Sequence, residues 1–433
     1  MKEEFLHFVW LHRLWPQTVM HLTDGRTVEI LDPGLPNHAS GPDFFNAKIR
    51  LDGNTLAGNV EIHIRASDWH RHGHHTDPAY DSVILHVVNV NDRKIQRTTG
   101  SEIPTVLLTV NPQMQQLYEQ MMNRNGSDLP CAEFLRHLPS IYLTDWITAL
   151  AHERLYSKSE RATAIYRSHD KDWGATAFII LARALGFSTN SEPMERMASS
   201  VPFNFLRRHS DDIPMLEAFI FGQAGLTHPQ PDAESPEAQY FNRLRQNYTF
   251  LAAKYGLEQP HDLNWKFAGA RPQNSPWRRL ALLAQLSGGN FPLAACYAHI
   301  TGLEQARELF RLPLQGFWAT HYTPIRPIEA PLSALGESAI DSLVINVIIP
   351  LLHAYGQEYV NDAAVDLAID LLQSLPPEDN SLTRIFTVEG VECDDAFTSQ
   401  ALIHLRRNYC EPRKCLYCRI GHRFLSKANA AKF

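Results

Sequence analysis

The hydrophobic and polar positions follow two different periodicities along the chain. At the start, residues 3–15 carry apolar side chains close to helical spacing, which predicts an amphipathic helix. Up to about residue 110 there follow short runs in which polar and apolar residues alternate, as they do in β-strands separated by turns. The pattern predicts strands at residues 28–30, 47–51, 58–65, 82–90 and 105–110.

From about residue 130 the pattern becomes helical, and prolines separate the apolar runs. Ser275-Pro276 places a capping serine and a first-turn proline at the start of one such helix. We therefore expect an α+β protein, in which an N-terminal mixed sheet with a flanking helix precedes a larger, mostly α-helical region. The predicted domains are residues 1–125, 126–400 and a Cys-rich basic segment, 401–433.

Composition sets limits on this picture. The chain has 433 residues, of which 44% are hydrophobic and 20% charged, which is ordinary for a globular protein with a sizeable core. Its net charge of -7 excludes a uniformly basic surface but leaves room for a local basic groove. No secretory signal is visible, and the apolar stretch 340–354 is shorter than the ~20 residues of a membrane span. These features predict a cytoplasmic protein without membrane association.

Two acidic residues and a histidine lie on a predicted β-hairpin. Asp43 precedes its first strand, an Asp-Gly turn follows, and Glu61 and His63 lie on its second strand. Side chains two positions apart share a strand face, and the start of one hairpin strand lies beside the end of the other. We therefore expect the three side chains to converge. Two carboxylates in this arrangement predict a Mg²⁺ or Mn²⁺ site that activates water, with His63 handling the proton of that water.

The sequence resembles the PD-(D/E)XK nuclease superfamily at this hairpin. Pro-Asp at positions 42–43 and Glu-Ile-His at 61–63 match the family's Pro-Asp, gap, Asp/Glu-X-Lys pattern. The resemblance implies a restriction-endonuclease-like sheet and a metal-dependent nuclease or phosphodiesterase. It also implies that Asp43, Glu61 and His63 are the catalytic residues.

The chain departs from that pattern at one position, because His63 stands where the family usually has lysine. Histidine is neutral or half-charged near pH 7, so a fixed ammonium is lost. Lys48, on the first hairpin strand, is a candidate to contact the substrate or to support the site. The chain also resembles a bacterial family of uncharacterised proteins, a domain of unknown function, that carries the GPDF…GNVEIH signature.

A run of histidines follows the hairpin, with four of them within positions 70–75. Such a run can bind Zn²⁺, although the HExxH spacing of zinc proteases is absent. The more economical interpretation is a polar loop over the hairpin, from which His70, His72 and His74 contact the metal or phosphate, and the alternative is a solvated, His-rich loop. His86, inside the next predicted strand, is expected to be buried and to support the site through a hydrogen bond.

Three of the six cysteines, Cys410, Cys415 and Cys418, have the spacing C-x₄-C-x₂-C. Thiolates at this density indicate zinc or an iron–sulfur cluster in a reducing compartment. Several PD-(D/E)XK nucleases carry a 4Fe-4S cluster that joins one distant cysteine to three near the C-terminus, and this similarity implies Cys131. The residues alone leave the fourth ligand open between His422, Cys131 and Cys393.

Basic residues are concentrated between positions 400 and 433, where eight oppose a single acid. Such a segment can hold a phosphate backbone. A weaker patch contains Arg271 and Arg278 beside tryptophans, and these arginines are candidates to contact phosphate near a helix N-terminus. Nucleic acid is therefore the predicted partner.

Three functions are compatible with these features. The first is a Mg²⁺- or Mn²⁺-dependent nuclease stapled by a C-terminal zinc or iron–sulfur site. The second is a catalytically inactive nuclease-fold protein that binds nucleic acid or acts as a scaffold, since the usual lysine is missing. The third is a zinc hydrolase that uses the histidines between positions 63 and 86.

Overall fold

The chain folds into two compact units in the computed structural model. Unit 1 comprises Met1–Trp146, Arg384–Val391 and Leu405–Phe433, and unit 2 comprises Ile147–Thr383 and Glu392–His404. The Cys-rich segment is thus part of the N-terminal unit. The structure describes every residue except 17–18, 38, 124–128, 229–234, 268–273, 290–291, 296–298, 329–334 and 431–433.

Unit 1 is built on a mixed sheet that has seven strands within the described residues. The strand order is β1-β2-β4-β5-β6-β7, and β3 pairs with β4. The pairs up to β4–β5 are antiparallel, whereas β5, β6 and β7 run parallel. The strands are β1 (Met20–His21), β2 (Thr27–Asp32), β3 (Leu35–Pro36), β4 (Phe44–Leu51), β5 (Asn54–Arg65), β6 (Val83–Val90) and β7 (Thr105–Leu107).

The hairpin between β4 and β5 turns at Asp52 and Gly53, which have φ angles of 52° and 80°. Positive φ at both central residues is the type I′ geometry that matches the twist of antiparallel strands. This two-residue turn sets the register from Leu51–Asn54 to Ala47–Gly58, and a β-bulge between Phe44 and Ala47 then shifts it so that Phe44, at the start of β4, pairs with Val60. The start of β4 therefore lies beside the end of β5.

Helices cover one face of this sheet. Phe5 and Val9 are fully buried in a core that includes Val60 and Ile62 of β5, and each such side chain contributes roughly 1.5–3 kcal/mol. On the other side, Trp69 packs with a smaller group of buried residues, which anchors the segment after β5. The helices of unit 1 are α1 (Glu3–Leu11), α2 (Asp68–Arg71), α3 (Pro112–Asn123), α4 (Ala132–Leu135) and the C-terminal helix Arg419–Ala430.

Gly58 allows β5 and β6 to approach closely. A Cβ at this position would lie 2.4 Å from Ile84 Cγ2 and 2.9 Å from the carbonyl oxygen of Ser82. We expect Gly58→Ala to lower the free energy of unfolding by about 1–3 kcal/mol, because the added methyl forces the strands apart. Urea unfolding followed by circular dichroism measures this loss. The control is Thr55→Ala, on the exposed start of β5, whose free energy of unfolding should stay within about 0.5 kcal/mol of the wild-type value. Equal urea midpoints for the two variants would contradict the close packing of β5 against β6.

Unit 2 is mostly helical, so the predicted α+β class is confirmed. Helix Ser140–Ser168 begins in unit 1 and helix Ser381–Thr387 ends there. Two short strands, His321–Thr323 and Arg326–Pro327, form a small hairpin. The other helices are Trp173–Leu185, Phe187–Ser199, Phe203–Arg207, Ile213–Gln223, Pro236–Tyr255, Pro276–Leu286, Leu303–Glu308, Glu337–Leu343, Ile349–Tyr359, Asp362–Ser374 and Ala396–Leu405.

One helical stretch of unit 2, Glu337–Tyr359, is long and apolar enough to cross a membrane by length and composition. Within the protein, 72% of its apolar window is buried. A π-helical turn at Val344–Ile348 interrupts it. The stretch is therefore core material of unit 2, as the sequence predicts for residues 340–354.

Candidate metal centres

Strand β5 places Glu61 and His63 on the same side of the sheet, where both are almost fully buried, with exposed fractions of 4% and 1%. Their neighbours Val60 and Ile62 are fully buried in the core on the opposite side. This burial fixes the face of β5 on which Glu61 and His63 lie. The segment after β5 folds back over Glu61 and His63, with Trp69 as its buried anchor. The side chains of Glu61 and His63 are thereby enclosed between the sheet and the segment that follows β5.

The register of the hairpin brings Asp43 to Glu61. The backbone N–H of Asp43 donates to Glu61 Oε2 over 3.1 Å, and the backbone N–H of Ile62 donates to Asp43 Oδ2 over 2.9 Å. These reciprocal hydrogen bonds fix the two carboxylates beside each other. The structure thus brings together Asp43, Glu61 and His63, the three residues that the sequence singles out on this hairpin.

His72 and His74, from the covering segment, complete the group. His63 Nε2 lies 3.1 Å from His72 Nδ1 and 3.5 Å from Glu61 Oε1, and Glu61 Oε1 lies 3.1 Å from His74 Nε2. The ligand atoms of the three histidines all lie within 4.8 Å of one another. Four ligands at the usual bond lengths around Zn²⁺ are separated by about 3.4 Å. The three imidazoles therefore lie close enough together to hold one ion, and the Glu61 carboxylate contacts two of them.

His86 holds the His63 ring in place. Its Nε2 lies 2.8 Å from His63 Nδ1, and His86 is fully buried. A histidine that offers Nε2 to a metal carries its proton on Nδ1 and nearly always donates it to a fixed acceptor. Burial first, and neighbouring imidazoles second, lower the pKa of both rings far below the usual histidine range. Both rings are therefore neutral, which is the form that binds metal.

Glu61 carries the charge that is most costly to bury here. Burial, and after it the Asp43 carboxylate, raises the pKa of Glu61 well above its usual range. Its ion-pair contacts are the imidazoles of His63 and His74, and burial lowers the pKa of both of those rings. Neither ring supplies a full positive charge near neutral pH. A cation held by these residues would compensate the carboxylate.

Helix α1 contributes Glu3 and His7, which the sequence interpretation missed. His7 Nε2 lies 3.3 Å from Asp43 Oδ2. Burial is the largest single effect and lowers the pKa of His7, but the contact with Asp43 and the charges of Asp43, Glu3 and Glu61 together outweigh it, so the net pKa of His7 is raised. Burial also raises the pKa of Glu3, which lies within electrostatic range of His7 and Asp43. The signal that marks them is their spacing of four positions, which places Glu3 and His7 on one side of a helix whose residues after Glu4 are otherwise apolar.

Lys48 and His70 lie outside the group. Lys48 is exposed on β4 and pairs with Ala57, four positions along β5 from Glu61, which is about 13 Å of strand. It therefore does not replace the ammonium that the nuclease pattern places at position 63. The ring of His70 lies beside that of His75, with centroids 4.7 Å apart, rather than beside His63.

The tryptophan-flanked arginine patch belongs to unit 2. Arg278 is buried, with an exposed fraction of 2%, and its guanidinium donates to the carbonyl oxygen of His321 over 3.3 Å. It also lies over the Tyr322 ring. This arginine serves the packing of its own unit rather than a phosphate at the surface. Arg271 lies outside the described residues.

A second group consists of four cysteines of unit 1. Cys410, Cys415 and Cys418 are buried, and Cys131, just before α4, is partly buried; all four are unpaired thiols. Burial raises the pKa of each thiol. The other three thiols raise the pKa of Cys131 further, so it lies within electrostatic range of them. One distant cysteine thus belongs to the same unit as the three clustered ones.

The backbone at the start of the C-terminal helix is shaped around this group. The N–H groups of Ile420 and Gly421 face Cys418 and lower its pKa, against the larger effect of burial. A Cβ at Gly421 would lie 2.1 Å from the carbonyl oxygen of Cys415, so only glycine fits there. Aligned N–H donors favour the thiolate, which is the form that binds metal.

The two alternative fourth ligands lie elsewhere. The ring of His422 packs edge-on against His12 and Phe8, with centroids 4.3 and 5.5 Å away. Cys393 belongs to unit 2. Cys131 is therefore the residue that the structure groups with the three clustered thiols.

The fold and these two groups define an α+β protein with a buried histidine–carboxylate site and a four-cysteine group. The chain belongs to the family described as protein of unknown function DUF2851, whose model matches residues 3–381. The match includes the sheet and the whole histidine site, and it ends before Cys410. No curated protein and no solved structure matches the chain.

Proposed function

We propose that this protein is a transition-metal-dependent hydrolase of phosphodiesters, with the ion held by His63, His72 and His74, the Glu61 carboxylate beside them and the fourth position left for water. One observation carries the proposal: the ligand atoms of the three histidines lie within 4.8 Å of one another, and the Glu61 carboxylate contacts two of the three rings. Three imidazoles favour zinc or a similar ion, whereas magnesium prefers a site made of oxygen ligands. The proposed metal is therefore the one expected for the zinc hydrolase, the third function compatible with the sequence, and not the Mg²⁺ of the first.

The choice of phosphodiester rests on two features. The first is the resemblance of the Asp43 and Glu61 hairpin to the PD-(D/E)XK motif. The second is the basic C-terminal segment, which belongs to the same unit as the histidine site. Both favour nucleic acid as the substrate, because the phosphate backbone dominates its affinity for proteins.

The chemistry divides between the ion and two side chains. A bound ion of this kind would lower the pKa of coordinated water to about 7 and stabilise charge on a phosphoryl oxygen. Asp43, fixed beside Glu61, would accept a proton as the water oxygen forms its bond to phosphorus. The ester P–O bond would break with its electron pair on the leaving oxygen, and His7 would supply the proton that this oxygen takes up. The Asp43–His7 contact of 3.3 Å would then let the proton return to His7.

We also propose that Cys131, Cys410, Cys415 and Cys418 hold a zinc ion or a 4Fe-4S cluster. Four protein thiolates leave no open coordination position, which is typical of a structural site. Such a centre would tie the C-terminal segment to the rest of unit 1. Unpaired thiols of this kind are stable in a reducing compartment, which supports a cytoplasmic location.

The test of the hydrolase uses protein stripped of metal with a chelator and reloaded with Zn²⁺, Mn²⁺ or Mg²⁺ in turn. Its substrates are bis(p-nitrophenyl) phosphate and labelled single- and double-stranded DNA and RNA. We expect Zn²⁺ or Mn²⁺ to restore turnover and Mg²⁺ at the same concentration to fail, because imidazoles bind Mg²⁺ weakly. Turnover with Mg²⁺ alone would favour the two-carboxylate nuclease instead. No turnover with any ion would exclude the hydrolase and leave a binding or scaffold protein.

A further inference from the structure

A cavity of about 420 Å³ lies in unit 1, between the end of α1 and the C-terminal segment. Its size lies within the range of small-ligand sites in proteins. None of its residues belongs to the histidine site, and Cys418 is the one cysteine of the four-cysteine group among them. The lining residues that matter here are His12, Tyr142, Tyr417, Arg419, His422 and Arg423.

Two tyrosine rings stand exposed at the wall of this cavity. Tyr417 has an exposed fraction of 60% and Tyr142 one of 42%. Large aromatic rings are normally buried, so two of them on one cavity wall offer apolar faces to a ligand. Flat aromatic ligands, including nucleobases, stack on such faces.

Two arginines supply positive charge beside these rings. The guanidinium of Arg423 lies over the Tyr142 ring, 3.2 Å from its centroid, and its Nε has no hydrogen-bond partner among the described residues. Arg419 lies over Trp146 and pairs with Asp145 over 2.5 Å. A guanidinium held by stacking keeps its N–H edge free for a phosphate.

The two histidines of the cavity are uncharged. Their ring centroids are 4.3 Å apart, and burial lowers the pKa of both, that of His12 to about 4 with help from His422. They therefore offer neutral donors and acceptors, which suit the edge of a base. The positive charge in the cavity comes from Arg419 and Arg423, and Asp145 opposes it at Arg419.

We propose that this cavity binds one nucleotide unit of a single-stranded nucleic acid, with its base on Tyr417 and its phosphate at Arg423. The inference deepens the proposed function by naming a single strand as the substrate. Helix α1 joins the two places, because His7 lies in the histidine site and His12 in the cavity. Five positions correspond to about 7.5 Å of helix axis and about 140° of rotation, so the two places lie near each other along α1 but on different sides of it.

The experiment measures the fluorescence anisotropy of a phosphorothioate-linked oligothymidylate, which resists cleavage, in the presence of the intact protein. We expect Tyr417→Ala to weaken binding about 5- to 150-fold, since one stacked base is lost, and Tyr417→Phe to bind like the wild type. Arg423→Gln should weaken binding and reduce the dependence of affinity on salt by about one ion. Lys414→Gln removes the same charge from an exposed position outside the cavity and is the matched control.

Three outcomes would overturn the inference: Tyr417→Ala binding like the wild type, Arg423→Gln and Lys414→Gln weakening binding equally, or a duplex binding as tightly as the single strand. Thymidine monophosphate serves as the competitor. At least tenfold weaker binding of the monophosphate supports a strand, whereas equal affinity would assign the cavity to a free nucleotide. If the protein binds the single strand in this way but does not cleave it, only the proposed hydrolase is contradicted. If it cleaves nucleic acid without binding at this cavity, only the present inference is contradicted.

Discussion

Replacing His63 with alanine is expected to remove one equivalent of metal and all measurable metal-dependent hydrolysis. His63 joins the group on both sides, since its Nε2 faces Glu61 and its Nδ1 contacts His86. Loss of a residue that merely hydrogen-bonds a metal ligand costs 10–100-fold in affinity, so loss of a ligand should cost more than about 100-fold. Competition with a coloured chelator measures the affinity, and elemental analysis measures the metal content.

The matched control is His75→Ala. His75 is exposed and adjacent in sequence to His74, but it is not among the histidines whose ligand atoms converge. Its replacement should leave metal content and turnover unchanged. His86→Leu should weaken metal binding about 10–100-fold with the ligands intact, and His86→Gln, which keeps an acceptor for His63, should lose less. An unchanged metal content in His63→Ala would remove the proposed centre.

Replacing Cys131 with serine is expected to release the metal of the four-cysteine centre and to destabilise unit 1. A serine hydroxyl is a poor ligand for the metals that thiolates bind, and structural metal sites contribute folding free energy outright. The loss should be about 4 kcal/mol or more, as for other substitutions that remove a bound metal. The loss of metal is measured by zinc and iron analysis and by the visible absorbance of an iron–sulfur cluster. The loss of stability is measured by urea unfolding.

Two variants make the Cys131 result specific. Cys393→Ser changes a cysteine of unit 2 and should leave metal content and stability as they are. His422→Ala tests the alternative fourth ligand and should retain the metal, because its ring packs against His12. If His422→Ala loses the metal and Cys131→Ser retains it, the fourth ligand is His422 rather than Cys131.

Local patterns in the sequence determined the hairpin and what it carries. Alternation of polar and apolar residues indicated which face each strand buries, and the Asp52-Gly53 turn fixed the register from Leu51 back to Ala47. Together they were sufficient to predict that Asp43 lies near Glu61, whereas the β-bulge between Phe44 and Ala47, which sets the final register there, was seen only in the structure. The α+β class followed from the same change of periodicity, since the strand and helix periods are local properties of the chain.

Tertiary structure alone decided which of the other polar residues join that site. The position of His86 inside a strand was sufficient to predict that it is buried and supports the site, but only the parallel pairing of β5 with β6 across a long connection brings it to His63. The fold of the covering segment selects His72 and His74 and leaves His70 outside. Periodicity cannot make this selection, because neighbouring histidines in a turn look alike until the backbone orients each one.

The same division holds for the cysteines. Their spacing in the C-terminal segment is a local feature and was sufficient to predict a metal-binding group there. Only the packing of the C-terminal segment into unit 1 brought Cys131 within electrostatic range of the other thiols. Contacts between residues far apart in sequence depend on the summed packing of a whole unit. The sequence by itself thus determined the local ligand patterns, and the tertiary structure decided which distant residues complete them.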